Sequence, residues 1–213
     1  MKIDKSVIAE IARTAGGHPK PRWSYQPASV SLLFFEKETT HFLAILKADR
    51  EGYTWRNQVA LPGGRIDDRD TDSLQTAIRE LEEELAISRE NVDYAGSLGY
   101  FQTLQNTVIE VFVGFWNRKD VIRYDTNEIA RVLEIPLQTM IQTHLSKKLN
   151  GRQPAMEELF YPFQDLVIWG VTAKILHYFI ELLYPAMGTS ALAEFQIKTP
   201  AKTNETGKEQ NRA

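Results

Sequence analysis

Residues 61–87, LPGGRIDDRDTDSLQTAIRELEEELAI, constrain this chain more than any other stretch. A Pro-Gly-Gly turn opens it, and the second half is patterned as a helix. Leu74, Ala77, Ile78, Leu81 and Leu85 recur at helical spacing, so one face of that helix should be buried. Asp72, with Gln75 three residues on, supplies an N-terminal cap.

The opposite face concentrates charge. At about 100° per residue, Glu80, Glu83 and Glu84 share an arc of roughly 100°. Carboxylates that close repel, each pair costing a few tenths of a kcal/mol. Arg79 alone cannot balance Glu80, Glu82, Glu83 and Glu84, so a cation is expected, and clustered carboxylate oxygens suit Mg²⁺ or Mn²⁺. The plain alternative is a solvated acidic face. The adjacent Gly63-Gly64 bend weighs against it, because glycine lets backbone turn tightly beside an ion.

These residues resemble the Nudix box: Gly, five residues, Glu, seven residues, then Arg-Glu-apolar-x-Glu-Glu-x-Gly-apolar. Gly64 matches the opening glycine, and Arg79, Glu80, Leu81, Glu83, Glu84 and Ile87 match the ending in order. The chain departs from the pattern in three ways. Gly64 to Arg79 is one residue longer than usual, the early Glu falls on Asp70 or Thr71 depending on the end counted from, and Ala86 replaces the late Gly. The longer spacing, with Asp67 and Asp70, resembles the coenzyme A diphosphatase branch, as does Trp169-Gly170-x-Thr172-Ala173. That branch's upstream signature is not kept: its arginines, histidine and glycine fall on Ala48, Tyr53, Trp55 and Asn57.

The resemblance implies an α+β Nudix fold, a mixed β-sheet sandwiched between α-helices. Residues 1–187 are read as one such domain, with an N-terminal helix and extended arm, and 188–213 as a disordered tail poor in apolar residues. It also implies Mg²⁺ (or Mn²⁺) held by Glu80, Glu83, Glu84 and a carbonyl at Gly64. Arg79 would orient the glutamates, and Glu80 or Glu128 would act as base. The expected reaction is hydrolysis of a diphosphate in a nucleoside diphosphate derivative, with coenzyme A or its thioesters, ADP-ribose, a nucleotide sugar and a dinucleotide as substrates to be told apart. A sensor that binds a nucleotide without cutting it is the contrasting reading. Lys47, Arg50 and Arg56, near the box in sequence, are candidates to hold the anionic substrate with Gly63 and Gly64. The resemblance leaves a homodimer open.

A net charge of −3 gives no global attraction to nucleic acid or anionic membrane. The absence of cysteine excludes disulfides, thiolate zinc and cysteine nucleophiles, and fits a reducing cytoplasm. No leader and no membrane-spanning run is expected.

Elsewhere, residues 3–14 read as an amphipathic helix ended by Gly16-Gly17, followed by the arm HPKPRWSYQPAS, where Arg22, Trp23 and Tyr25 are read as anchors of the arm onto its own domain ahead of a stack for a nucleobase. Strands are expected over 29–35 and 41–46, apolar enough to be covered on both faces, with His41 at the surface. Two more are expected over 94–103 and 107–116, with Glu110 read as facing solvent ahead of entering the active-site cleft. Asn127, Glu128, Ile135, Pro136 and Leu137 resemble the Nudix turn in which Pro ends a strand and starts a short helix. Glu128 is weighed there between an outer carboxylate of the site and a role in capping or in pairing with Arg131. His144 is assigned to a surface or an interface, 158–167 to an edge strand, and 168–183 to a closing helix with His177 packed.

Overall fold

In a computed structural model, residues 2–15, 26–52 and 55–187 are described. The arm with Arg22, Trp23 and Tyr25, the Gly16-Gly17 helix end and the tail beyond residue 187 lie outside them. The elements, in order, are α1 (Lys5–Thr14), β1 (Gln26–Glu36), β2 (Thr40–Lys47), β3 (Val59–Ala60), β4 (Gly63–Arg65), α2 (Ser73–Leu85), β5 (Val92–Gln102), β6 (Thr107–Trp116), β7 (Ile129–Pro136), α3 (Leu137–Ser146), β8 (Tyr161–Phe163), β9 (Leu166–Ile168) and α4 (Gly170–Leu183).

The sheet is mixed. β1 runs parallel to β6, while β1–β2, β1–β4, β2–β3, β2–β7 and β5–β6 are antiparallel. The reason β1 and β2 carry continuous apolar runs rather than alternation lies in their cover. Leu33, Phe35, Leu43 and Ile45 meet Leu81 and Leu85 of α2 on one face. Leu32, Phe34, Phe42 and Ala44 meet α1, α3 and α4 on the other, where the rings of Phe34 and Phe179 lie 5.0 Å apart. Successive strand residues point to opposite faces, so both must be apolar. Each fully buried side chain of this kind contributes about 1.5–3 kcal/mol, against about 0–1 kcal/mol for an exposed ion pair such as Lys5–Asp93. The two-sided apolar cover therefore holds the fold, and surface charge does not.

Along one edge of β1 two strands share the available hydrogen bonds. β2 takes the stretch Phe34–Glu36 and β4 takes Ala28–Val30. Between them Ser31 N–H donates to the Pro62 carbonyl. This fork places the Gly63-Gly64 bend against the sheet.

Several local expectations are corrected. Residues 158–167 do not form one edge strand: β8 and β9 make a separate two-stranded hairpin. His41 is buried rather than at the surface, its ring stacked on Phe35 and its Nδ1 donating to the Thr39 carbonyl. Glu110 does not face open solvent. It accepts from Ser97 Oγ at 2.9 Å and from Ser73 Oγ, tying the start of α2 to the sheet. His144 is fully buried.

Helix α2 ends in a backbone conformation costly for its residue. Ala86 caps it with φ 54° and ψ 34°, the left-handed region that suits glycine. Alanine there costs about 1–2 kcal/mol, partly offset because glycine loses more entropy on folding. Ala86→Gly is expected to stabilise the protein by about 0.5–1 kcal/mol, seen as a melting temperature higher by about 1–4 °C. An unchanged or lower melting temperature would show that the left-handed turn is not strained.

Candidate active site

The Asp72 side chain accepts from Gln75 N–H at 2.8 Å and starts α2 at Ser73. From there the helix buries Ala77, Leu81 and Leu85 and turns Glu80, Glu83 and Glu84 toward the bend. Glu84, itself buried, accepts from Gly63 N–H at 3.0 Å through one carboxylate oxygen and from Lys47 Nζ at 2.5 Å through the other. Glu80 packs on Gly64 so closely that a Cβ there would lie 2.5 Å from its Oε2. Burial raises the carboxyls of both Glu80 and Glu84 above the ordinary range. Arg79 opposes this at Glu80, and Lys47 and Gly63 oppose it at Glu84.

Arg79 uses all of its guanidinium hydrogens. Nε and one terminal nitrogen fork onto Asp70, each at 3.0 Å, and that terminal nitrogen also donates to the Arg65 carbonyl at 3.2 Å. The other donates to Glu80 at 2.8 Å and Glu83 at 2.9 Å. Only a planar five-donor group satisfies this set. Asp70, whose side chain is only 2% exposed, also accepts from Thr76 Oγ1 and Asp67 N–H. It sits where the box pattern has its early Glu, counted from Gly64, and it fixes Arg79. The expectation that Arg79 stands alone against the glutamates is thereby revised. Lys47, from the end of β2, is a second cation, and the pair of them balance much of the repulsion.

The Arg79 guanidinium holds the Asp70 carboxyl well below the usual carboxylate range. Its stabilising effect is therefore complete above the unfolded value of about 3.9 and is lost as pH falls through the depressed one. Asp70→Asn should lower the melting temperature most near neutral pH, with the gap from wild type closing below about pH 4. A gap independent of pH would place the loss in packing rather than charge.

Glu80, Glu83 and Glu84 line a cavity of about 410 Å³, within the range of small-molecule sites. Gly63, Gly64 and Arg65, paired with β1, also line it. So do Lys47, Arg50, Asn127, Glu128, Trp55, Trp169 and Thr172. Glu128 is exposed and its charge helps raise the Glu84 carboxyl, whereas its suggested partner Arg131 binds Asp165 at 2.9 Å. Of the residues singled out for the site, Lys47, Arg50, Gly63, Gly64, Glu80, Glu83, Glu84 and Glu128 line this cavity, Arg79 is joined to it through Glu80 and Glu83, and Arg56 is absent from the lining and lies 3.9 Å from Asp49. Lys47 reaches Glu84, so it acts on the carboxylates as well as facing the cavity. Arg65, Trp55, Trp169 and Asp70 were not marked as site residues from the sequence. The spacing of Asp70 and the Trp169-Gly170 pair were their only signals. A separate cavity of about 480 Å³ between α1 and the far end of the sheet contains none of the box residues.

The donor set fits a hard divalent cation. Three carboxylates face one space, and Glu80 Oε2 and Glu83 Oε1 accept no hydrogen bond among the described residues. The missing Cβ at Gly64 is what leaves room for the Glu80 carboxylate. No helix among the described residues is long and apolar enough to cross a membrane.

Residues 25–160 match the model of the NUDIX domain. A protein named Nudix hydrolase NudL from Photorhabdus laumondii is 32% identical over 124 residues, 56% of this chain and 65% of that protein. One of the same name from Pectobacterium atrosepticum is 30% identical over 122 residues, 56% and 64% of the two chains. The chain thus spans just under two thirds of the length of these relatives. Among solved structures, the MutT protein from Methanosarcina mazei Go1 superposes with a TM-score of 0.51 at 17% identity, covering 79% of this chain and 100% of that one. A MutT/nudix family protein from Enterococcus faecalis gives 0.51 at 12% identity, covering 92% and 81%. At these identities the likeness is one of fold.

Proposed function

The chain belongs to the Nudix family, and from that premise we propose that its cleft hydrolyses the diphosphate linkage of a nucleoside diphosphate derivative with the help of Mg²⁺ or Mn²⁺. The observation that carries this reading is the convergence of Glu80, Glu83 and Glu84 on one cavity beside the Gly63-Gly64 bend, together with cationic groups. Glu80, Glu83 and Glu84 would hold the ions, with a backbone carbonyl at Gly64. Such ions neutralise phosphoryl charge and lower the pKa of a bound water.

The chain's own groups supply the rest. Arg79, fixed by Asp70, holds Glu80 and Glu83 at the cavity wall. Lys47 and the Gly63 N–H hold Glu84. Arg50 and Arg65 face the same cavity and suit a phosphate, and α4 directs its N-terminal residues Val171 and Thr172 there, where its dipole favours an anion. The indoles of Trp55 and Trp169 give flat apolar faces on which a nucleobase can stack. Glu80 and Glu128 are the carboxylates at hand to accept the proton of the attacking water. Trp169 and Thr172, from the segment that resembles the coenzyme A diphosphatase branch, line the cavity and support that substrate among those to be tested.

A release assay with coenzyme A, ADP-ribose, a nucleotide sugar, NADH and dinucleoside polyphosphates, with and without Mg²⁺ or Mn²⁺, tests the reading. Metal-dependent cleavage at the diphosphate of one of these is the expected result. Tight binding without cleavage would assign the fold to a sensor. Cleavage indifferent to chelators would remove the carboxylate mechanism.

A further inference from the structure

Away from the cleft, α3 and α4 bring three ligating side chains together: His144 from α3, and His177 and Glu181 one turn apart on α4. One ligand atom of each lies within 4.8 Å of the other two. We infer that these residues form a second metal site, selective for a zinc-class transition metal rather than Mg²⁺, that staples α3 to α4.

The hydrogen bonds around the three residues carry the argument. His177 Nε2 lies 3.1 Å from the Arg152 carbonyl. A carbonyl only accepts, so Nε2 carries the ring hydrogen and Nδ1 of the neutral ring is a lone pair. That Nδ1 is buried and has no hydrogen-bond partner. A buried acceptor without a donor is rare in a folded protein and calls for an explanation such as an ion. The nearby ring of His144 lies 5.0 Å away, centroid to centroid.

Each of the other two ligands is oriented from behind. His144 Nδ1 is 2.9 Å from the Tyr161 hydroxyl, and Glu181 accepts from Gly151 N–H at 2.8 Å through one oxygen. The remaining groups, His144 Nε2 and the other Glu181 oxygen, face one another at 2.7 Å. His144 and Glu181 thus each have one polar end held by an outer partner and another turned to the other, and His177 has one nitrogen on Arg152 and the second buried without a partner, as in sites where proteins aim metal ligands from behind. A bound ion would replace the His144–Glu181 hydrogen bond. His144 would then carry its hydrogen on Nδ1 and donate it to the Tyr161 oxygen, which can accept as readily as donate. Two imidazoles and one carboxylate, with a water in the fourth position, suit tetrahedral Zn²⁺, whereas Mg²⁺ prefers an all-oxygen set. The cluster belongs to neither the carboxylate cleft nor the cavity beside α1, so its role is to join the two helices and the 151–152 turn.

The test uses the full chain stripped by a chelator and dialysed against Zn²⁺ or Co²⁺ with Mg²⁺ in excess to occupy the carboxylate cleft. One retained equivalent of Zn²⁺ is expected, with Co²⁺ giving the intense visible bands of four-coordinate geometry. His177→Ala should weaken that binding by at least about 100-fold, leave Mg²⁺-supported hydrolysis unchanged and keep the native circular dichroism. The near-isosteric Glu181→Gln serves as a second variant should the alanine disturb α4, and Glu84→Gln should retain the zinc. No stoichiometric binding, weak six-coordinate cobalt bands, wild-type affinity in both His177→Ala and Glu181→Gln, or loss of zinc in Glu84→Gln alone would each overturn the site.

Discussion

Replacing Glu84 by glutamine is expected to lower turnover by roughly 10²–10⁴-fold, the range lost when a group that organises proton transfer and charge is removed. Its carboxylate is the one carboxylate of the set joined to both the bend and a lysine, through Gly63 N–H and Lys47 Nζ. The amide keeps an oxygen for Gly63 but turns its NH2, a donor, toward the Lys47 ammonium, and gives an ion a weaker ligand. The structural penalty is about 1–3 kcal/mol for a buried polar group left short of a partner, less than the whole stability of an ordinary domain. Activity and folding therefore separate. The measurement is steady-state hydrolysis beside thermal unfolding of the same sample, and a rate equal to wild type in a folded variant would remove Glu84 from the mechanism.

The two glycines of the bend should fail in opposite ways. At Gly63 φ is +148°, and an added Cβ would sit 2.6 Å from Val30 Cα, with the Ser29 carbonyl oxygen closer still. Backbone on β1 cannot yield, so Gly63→Ala is expected to cost about 3 kcal/mol or more in stability, among the largest single-residue losses. At Gly64 the obstacle is the end of the Glu80 side chain, 2.5 Å from the added carbon at Oε2. That side chain can swing away at little cost to folding, taking its carboxylate with it. Gly64→Ala should melt close to wild type yet lose activity by roughly 10²-fold, as expected for a displacement of about 1 Å in a reacting group. Denaturant unfolding and turnover measured on both variants would expose the contrast, and equal losses of stability would refute it.

How much of this could be read beforehand follows the range of the interactions. The cap at Asp72, the apolar face of α2 and the start of α3 at Pro136 depend on residues a few positions apart, and periodicity reveals them. The two-sided burial of β1 and β2 shows in their unbroken apolar runs. By contrast, the link from Lys47 to Glu84 spans 37 positions, and that from Ser73 to Glu110 spans the same distance. No local pattern encodes either one. In the sequence Glu110 accordingly reads as facing solvent, and the acidic face of α2 reads as short of cations by one lysine. The same holds for His144. It lies at helical spacing on a short segment that gives no hint of Tyr161 and Glu181 closing over it. The fork in the sheet is the furthest from the sequence, because it depends on β2 and β4 dividing one edge of β1 between them.

The parallel pairing of β1 with β6 bears on how the chain is made. The first-synthesised central strand finds its second neighbour only after the entire carboxylate helix and β5 have left the ribosome. Until then eleven residues of largely apolar strand keep one row of amide and carbonyl groups open to any other extended chain, and such edges seed aggregation. The nascent protein is thus most at risk between the emergence of its glutamates and that of Trp116, and a chaperone that shields extended apolar segments would act in that interval.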